Sequence, residues 1–251
     1  MAQPKNADDL IRPARDGALR ALRAAVDAGV ERVVMTSSTA AVGSESGSSA
    51  VKTEADWTDP DNPEVNPYAK SKTIAERAAR AFMAESGGTT SFCTVNPSLV
   101  LGPVMSGDFS PSVEVVSRML TGKIPGAPRI GFNIVDVRDV ADLHLLAMTA
   151  PQAAGGRYIA SSDFLWFADI AAVLRERFGE RARKVPTRNL PDLLLRGMAL
   201  IDPGIRSVIG GLGKRRETSS ARAQSELGWR PRSGSEAVVA AAESLFAHGV
   251  V

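Results

Sequence analysis

The chain contains few of the residue types on which several protein classes depend. Its 251 residues include one cysteine, two histidines and two tyrosines. A single cysteine cannot form an internal disulfide, so nothing indicates secretion, and its apolar neighbours place Cys93 in a predicted core. No group of histidine, cysteine and acidic residues has the spacing of a metal site, and no G-x-S-x-G sequence supports serine-hydrolase chemistry.

Other absences argue against a membrane protein, a secreted protein and a nucleic-acid-binding protein. The sequence has no apolar run of about 18 residues or more, so no membrane span is predicted. Its first residues lack the apolar stretch of a signal peptide. A formal net charge of +2 is too small to indicate binding to nucleic acid or to a membrane surface. We therefore expect a cytoplasmic monomer or homodimer that acts on a small molecule.

The sequence alternates between helical and strand-like segments. Apolar residues at helical spacing predict a helix over 8–28, which Asn6 or Asp8 caps and Gly29 ends. The β-branched runs ERVVMTSS and TSFCTVNPSLVLGP each predict a buried parallel strand. Further helices are predicted near 67–85, 111–121 and 137–148, and further strands near 130–135 and 156–161, before a mostly helical remainder. This order predicts an α/β fold in which helices flank a parallel sheet.

A tyrosine and a lysine lie four residues apart in the segment NPYAKSK. Pro67 is suited to the first turn of a helix, so Tyr68 and Lys72 lie on one helix face. A free phenol is a poor acid–base catalyst at neutral pH, but a nearby ammonium favours the phenolate. The pair is therefore suited to proton exchange with a substrate oxygen, although Tyr-x-x-x-Lys also occurs by chance on many helices. Ser38, at the end of the TSS strand, is placed to donate a hydrogen bond to the same oxygen.

Several segments in order carry a family resemblance. They are the TSS strand end, DWTD, NPYAKSKTIAERAARAF, VNPSLVLGPV, VDVRDVADLHLLAM, GGRYIAS and the C-terminal SARAQSELGWRPRSGSEAVVAAAESL. Together they resemble the extended short-chain dehydrogenase/reductase superfamily, in particular the dihydroflavonol-reductase-like aldehyde and ketone reductases of the NAD-dependent epimerase/dehydratase family. The resemblance implies a partial Rossmann-type dinucleotide-binding domain over 1–150. It also implies that residues 151–251 contribute a smaller, mostly helical substrate lobe.

The resemblance implies roles for individual residues. Tyr68 would protonate a carbonyl oxygen, Lys72 would activate Tyr68 and hold the nicotinamide ribose, and Ser38 would orient the carbonyl. NADP, or alternatively NAD, would supply the hydride, because no side chain can do so. Besides Tyr68 and Lys72, the residues expected to contact the cofactor are Ser37, Pro97, Ser98 and Val100.

The family pattern begins with a strand and a glycine-rich G-x-x-G-x-x-G loop that binds the cofactor pyrophosphate. The helix over 8–28 corresponds to the family helix before the TSS strand, so we expect the first β-α units, on the order of 70 residues, to be missing. The glycine-rich GGLGKRR at 210–216 follows no predicted strand and is not expected to replace that loop. We therefore predict that isothermal titration shows weak or no binding of NADPH, and a sub-micromolar dissociation constant would contradict this.

Several alternatives remain open from the sequence. Three explanations compete for the missing β-α units. The chain is a fragment or late-start product of a carbonyl reductase, or it is a remnant that binds a different ligand. In the third explanation, another chain completes its sheet. Within the superfamily, a nucleotide-sugar epimerase or dehydratase would use the same Tyr, Lys and Ser. Residues 175–232 carry 14 Lys or Arg against 6 Asp or Glu, a surplus of 8. This charge indicates either a solvated helical surface or a pocket that favours anions.

Overall fold

Two small sheets form the centre of the molecule. The computed structural model describes residues 6–43, 50–200 and 209–251. In the first sheet, the parallel strands β1 (Arg32–Thr36), β2 (Ser91–Pro97) and β5 (Arg157–Ala160) lie in the order β1-β2-β5. In the second, β3 (Leu99–Leu101), β4 (Gly131–Asp136) and β6 (Phe164–Trp166) lie in the order β3-β4-β6, with β3 parallel and β6 antiparallel to β4.

Helices cover both sheets. They are α1 (Asp8–Asp27), α2 (Pro67–Glu85), α3 (Pro111–Leu120), α4 (Val137–Thr149), α5 (Phe167–Phe178), α6 (Asp192–Met198), α7 (Ala221–Leu227) and α8 (Gly234–Ala247). Helices α1 and α2 pack together against the first sheet around Leu22, Ala79 and Phe92. Helices α4 and α7 contribute to a second apolar cluster that includes Cys93 and Val95 of β2. The predicted α/β fold is confirmed, and Cys93 is buried as expected.

The second sheet has its own apolar core. Helices α3, α5 and α8 surround it and bury residues such as Met119, Ile134, Ile170 and Leu245. Burial of each such side chain contributes on the order of 1.5–3 kcal/mol relative to exposure. Since this core joins residues on both sides of position 150, it fixes the second sheet against the C-terminal helices. The proposed division into domains at that position stays a prediction.

Three details differ from the sequence-based expectations. The run TSFCTVNPSLVLGP was predicted as one strand, but it forms β2 and β3, because Ser98 N still bonds to Ala160 O whereas Leu99 pairs with Ile134 in the other sheet. Strand β6 was missed, because three residues are too few to show a period. Strand β1 is parallel as predicted but only partly buried, because within the described residues it has a strand partner on one side only.

The C-terminal segment is attached to the start of α4. Trp229 is 1% exposed, and its Nε1 donates a hydrogen bond to Asp139 O at 2.8 Å. The backbone N of Arg232 donates to Asp139 Oδ2 at 2.7 Å. Ser233 and Glu236 then form a reciprocal cap that begins α8. No helix among the described residues is both long and apolar enough to cross a membrane.

Candidate active site

The start of α2 fixes the tyrosine and the lysine. Asn66 Oδ1 accepts a hydrogen bond from Ala69 N at 2.9 Å, and Pro67 occupies the first helical position, where its missing N–H leaves no bond unmade. Tyr68 and Lys72 lie one turn apart, as the sequence predicted, and Lys72 Nζ is 5.9 Å from the centroid of the Tyr68 ring. At this separation the ammonium interacts favourably with the face of the ring.

A cavity of about 450 Å³ opens beside Tyr68. Ser38 and Ser98, which follow the carboxyl ends of β1 and β2, line it together with Tyr68. The carboxyl ends of parallel strands are where ligands bind in open α/β sheets. Tyr68 is 39% exposed, so the packing leaves its side chain accessible to a ligand. The structure therefore brings Tyr68 and Ser38 to the same cavity.

Ser38 keeps a donor available for a ligand. Its Oγ accepts a hydrogen bond from Ala40 N at 3.1 Å and so caps a short 3₁₀ turn over Thr39–Ala41. A hydroxyl group has one donor and two acceptor positions, so this bond leaves the O–H free to donate. The backbone O of Ser38 accepts from Asn96 Nδ2 at 3.1 Å, which holds the turn against β2. Ser38 can therefore donate to an oxygen atom in the cavity.

Ser37 points away from the cavity toward a buried carboxylate. Its Oγ donates to Glu76 Oε2 at 2.5 Å, and Ser37 is not among the described residues that line the cavity. Glu76 is completely buried and also accepts hydrogen bonds from Arg157 Nε at 2.7 Å and Asn96 Nδ2 at 2.8 Å. Thr94 Oγ1 donates to the same carboxylate at 3.1 Å. These bonds connect α2 with β2, with β5 and with Ser37, which follows β1.

The Glu76 carboxylate stays ionised in this environment. Burial raises the pKa of a carboxyl group, but the charge of Arg157 and the hydrogen bonds from Ser37, Arg157 and Asn96 outweigh it, so the pKa of Glu76 lies below its ordinary value. Asn96 bonds to both Glu76 and the backbone of Ser38. The buried network thus fixes the backbone that presents Ser38 to the cavity.

The remaining predicted cofactor contacts occupy different environments. Pro97 is buried at the end of β2, and its carbonyl oxygen accepts from Thr39 Oγ1 at 3.3 Å. Ser98 lines the cavity, and its Oγ is buried with no hydrogen-bond partner in the described part of the chain. Val100 lies on β3, pairs with Val135 and packs against the apolar cluster that includes Cys93. Of these residues, Ser98 is the one that lines the cavity.

Two segments distant in sequence pair with each other at the cavity. Lys52 N donates to Glu217 O and Ser219 N donates to Lys52 O, both at 2.8 Å. Asn133 of β4 holds the second segment in place, since its Oδ1 accepts from Thr218 N at 3.2 Å. The residues that line the cavity here include Lys52, Asn133, Lys214, Arg216 and Thr218.

Some residues of the site were not identified from the sequence. Glu76 continues the spacing of Tyr68 and Lys72 by another four residues, so the same helical stripe would have indicated it. Lys52 and Asn133 carry no local signal, because their positions depend on segments far away in the chain. Within residues 6–43, 50–200 and 209–251, no group of three or more His, Cys, Asp or Glu side chains is arranged to hold a metal ion.

Known proteins resemble the chain in sequence. A model of the NAD dependent epimerase/dehydratase family matches residues 1–160. Dihydroflavonol 4-reductase of Zea mays is 34% identical over 184 residues, which cover 70% of this chain and 50% of the maize protein. Cinnamoyl-CoA reductase 1 of Oryza sativa subsp. japonica is 36% identical over 183 residues, which cover 71% of this chain and 53% of the rice protein. The chain spans about half the length of the curated relatives it matches.

A solved structure resembles the chain in fold. Yeast methylglyoxal/isovaleraldehyde reductase Gre2, complexed with NADPH, superposes with a TM-score of 0.77 and 27% sequence identity. The superposition covers 100% of this chain and 76% of the yeast chain. The Rossmann-like architecture expected from the sequence is therefore confirmed.

Proposed function

Because the chain belongs to the NAD dependent epimerase/dehydratase family, we propose that it reduces the carbonyl group of an aldehyde or ketone with NADPH. The observation that carries this proposal is the cavity that Tyr68 and Ser38 share, with the Lys72 ammonium beside the tyrosine ring. The maize and rice relatives are named as reductases, and the yeast structure is that of a reductase with NADPH. These names favour reduction over the other reactions of the family.

The proposed reaction adds a hydride to the carbonyl carbon and a proton to its oxygen. Ser38 donates a hydrogen bond to the carbonyl oxygen and so fixes its position. Tyr68 transfers its phenolic proton to that oxygen, and the nearby Lys72 ammonium stabilises the phenolate that remains. The nicotinamide cofactor, when bound, supplies the hydride. The product is an alcohol, and Tyr68 regains its proton from solvent.

The residues around the cavity fit a nicotinamide cofactor. Ser98 lines the cavity, and its hydroxyl is buried and has no partner among the described residues. A buried hydroxyl without a partner costs about 1–3 kcal/mol, so a polar ligand group there is favourable. Ser98 would hydrogen-bond the polar group of the nicotinamide, and Lys72 would hold the adjacent ribose. Ser37 would act indirectly, because its hydroxyl is bonded to Glu76.

Steady-state turnover tests the proposed reaction directly. We expect the protein to oxidise NADPH, followed by the loss of its near-ultraviolet absorbance, only when an aldehyde or ketone is present. UDP-glucose with NAD serves as the matched substrate for the epimerase or dehydratase chemistry of the same family. Conversion of UDP-glucose without carbonyl-dependent NADPH oxidation would contradict the proposal. Because dinucleotide binding is expected to be weak, NADPH is supplied in large excess over the protein.

A further inference from the structure

The 3₁₀ turn that follows Ser38 is bonded to a buried threonine from another segment. Thr58, in the DWTD sequence, is completely buried, and its Oγ1 donates a hydrogen bond to Ala40 O at 2.7 Å. The backbone N of Thr58 donates to Ala41 O at 3.1 Å. Two carbonyl groups of the turn are therefore bonded to one residue outside it.

The same threonine is bonded to the helix that carries Tyr68. Arg77 of α2 donates from Nη2 to Thr58 O at 3.4 Å. The Arg77 guanidinium also lies over the Trp57 ring, 5.2 Å from the ring centroid. The N–H and hydroxyl groups of Thr58 thus bond to the turn, and its carbonyl group bonds to α2. Thr58 therefore fixes the position of Ser38 relative to Tyr68.

The segment that contains Thr58 is attached to the first sheet. Arg157 of β5 is 4% exposed and donates from Nη1 to Glu54 O at 3.0 Å and to Asp56 O at 2.6 Å. Glu54 Oε1 accepts a hydrogen bond from Ile159 N, also of β5, at 3.0 Å. Because these bonds hold the segment on the sheet, Thr58 can resist a displacement of the Ser38 turn.

The Thr58 hydroxyl can be removed without disturbing the buried charges. Asn96 and Arg157 also bond to backbone oxygens at this turn, but both bond to Glu76 as well, so their replacement would disturb the buried carboxylate. Within the described residues, Thr58 bonds to the turn and to Arg77 but not to Glu76. A substitution at Thr58 therefore tests the position of the turn alone.

We propose that Thr58 is a positioning residue for carbonyl reduction, whose hydroxyl holds the turn so that Ser38 and Tyr68 reach the same carbonyl oxygen. This inference rests on the proposed function, because it assigns Ser38 to the carbonyl oxygen. Thr58 is not among the described residues that line the cavity, so it acts through Ser38 and does not contact the substrate. A displacement of about 1 Å at a reacting centre can lower a rate by about 10²-fold, so a loosened turn has a measurable effect.

Amide hydrogen exchange of the chain without cofactor tests the hold of Thr58 on the turn. The amides of Ala41 and Val42 donate to Ser38 O and Thr39 O and so close the turn. Thr58→Ser loses a methyl group, whereas Thr58→Ala loses the methyl group and the hydroxyl, so their difference isolates the hydroxyl. We expect both amides to exchange about tenfold faster in Thr58→Ala than in Thr58→Ser. Equal exchange rates would overturn the inference.

Turnover tests whether Thr58 acts through Ser38. For carbonyl reduction, kcat should be about tenfold lower in Thr58→Ala than in Thr58→Ser, with KM for the carbonyl nearly unchanged, because the lost alignment matters most in the transition state. Combined with Ser38→Ala, the two Thr58 variants should have nearly equal kcat values. A tenfold difference that persists without the Ser38 hydroxyl would show a general effect on the fold and would overturn the inference.

A second buried threonine provides the matched control. Thr73 is completely buried, and its Oγ1 donates to Ala69 O within α2 at 2.8 Å. Thr73→Ala should leave both the exchange of the turn and kcat nearly unchanged, and effects equal to those of Thr58→Ala would contradict the proposal. Circular dichroism checks folding, and Thr58→Val, which keeps the side-chain volume, replaces Thr58→Ala if that protein does not fold. Faster exchange in Thr58→Ala without carbonyl turnover by the native chain would refute the proposed reduction, whereas native turnover with unchanged exchange would refute the role of Thr58 alone.

Discussion

Replacement of Tyr68 by phenylalanine is expected to lower carbonyl turnover by about 10²–10⁴-fold, the usual contribution of a positioned general acid. The substitution removes only the phenolic oxygen, and Tyr68 is partly exposed at the cavity, so neither the fold nor cofactor binding should change appreciably. The loss should appear in kcat and in kcat/KM alike, because the proton is transferred in the transition state. Carbonyl-dependent oxidation of NADPH measures it, in a preparation that shows turnover with the native residue.

The chain offers a matched control for this substitution in its second tyrosine. Tyr158 is completely buried on β5, and its hydroxyl donates to Glu226 Oε2 at 3.0 Å. Burial, together with the neighbouring carboxylate, raises the pKa of Tyr158 to about 12. Tyr158→Phe should reduce stability by about 1 kcal/mol through the lost hydrogen bond and leave turnover nearly unchanged. Equal activity of the Tyr68→Phe and Tyr158→Phe proteins would show that the proton comes from another group.

Replacement of Glu76 by glutamine should lower the free energy of unfolding by about 3–5 kcal/mol. The carboxylate is completely buried and neutralises Arg157, which is itself only 4% exposed. Glutamine leaves that guanidinium uncompensated and turns an amide N–H₂ toward the donors Ser37 and Asn96. Urea denaturation measures the loss. The exposed Glu85 of the same helix provides the control, and Glu85→Gln should change stability by less than about 0.5 kcal/mol.

The contribution of Glu76 to the free energy of unfolding should fall as the pH is lowered. Its pKa in the folded protein lies below its ordinary value of 4.5, so the ionised form is favoured by folding. The stabilisation is complete above the unfolded pKa and is lost as the pH falls through the folded value. The difference in unfolding free energy between the native protein and Glu76→Gln should therefore be largest near neutrality and narrow below about pH 4.5. A difference that is small at neutral pH and grows in acid would contradict the assignment of an ionised carboxylate.

Much of the helical part of the site could be predicted because its signals are local. Asn66 and Pro67 set the first turn of α2 through a side-chain cap and a proline without an N–H, both visible in adjacent residues. The four-residue spacing then places Tyr68 and Lys72 on one face of the helix. Strands β1, β2, β4 and β5 were also predicted, β1 and β2 from β-branched runs.

The tertiary structure decided how these elements meet. The sequence alone determined an α/β chain with a tyrosine–lysine face on a helix and serines at strand ends. It did not show that Ser37 turns to Glu76 while Ser38 faces the cavity, nor that Lys52 pairs with the segment at Thr218. Periodicity reports only which face of an element is apolar, whereas these contacts join segments far apart in the chain. Their positions follow from the packing of both sheets and from the requirement that buried charges and polar groups find partners.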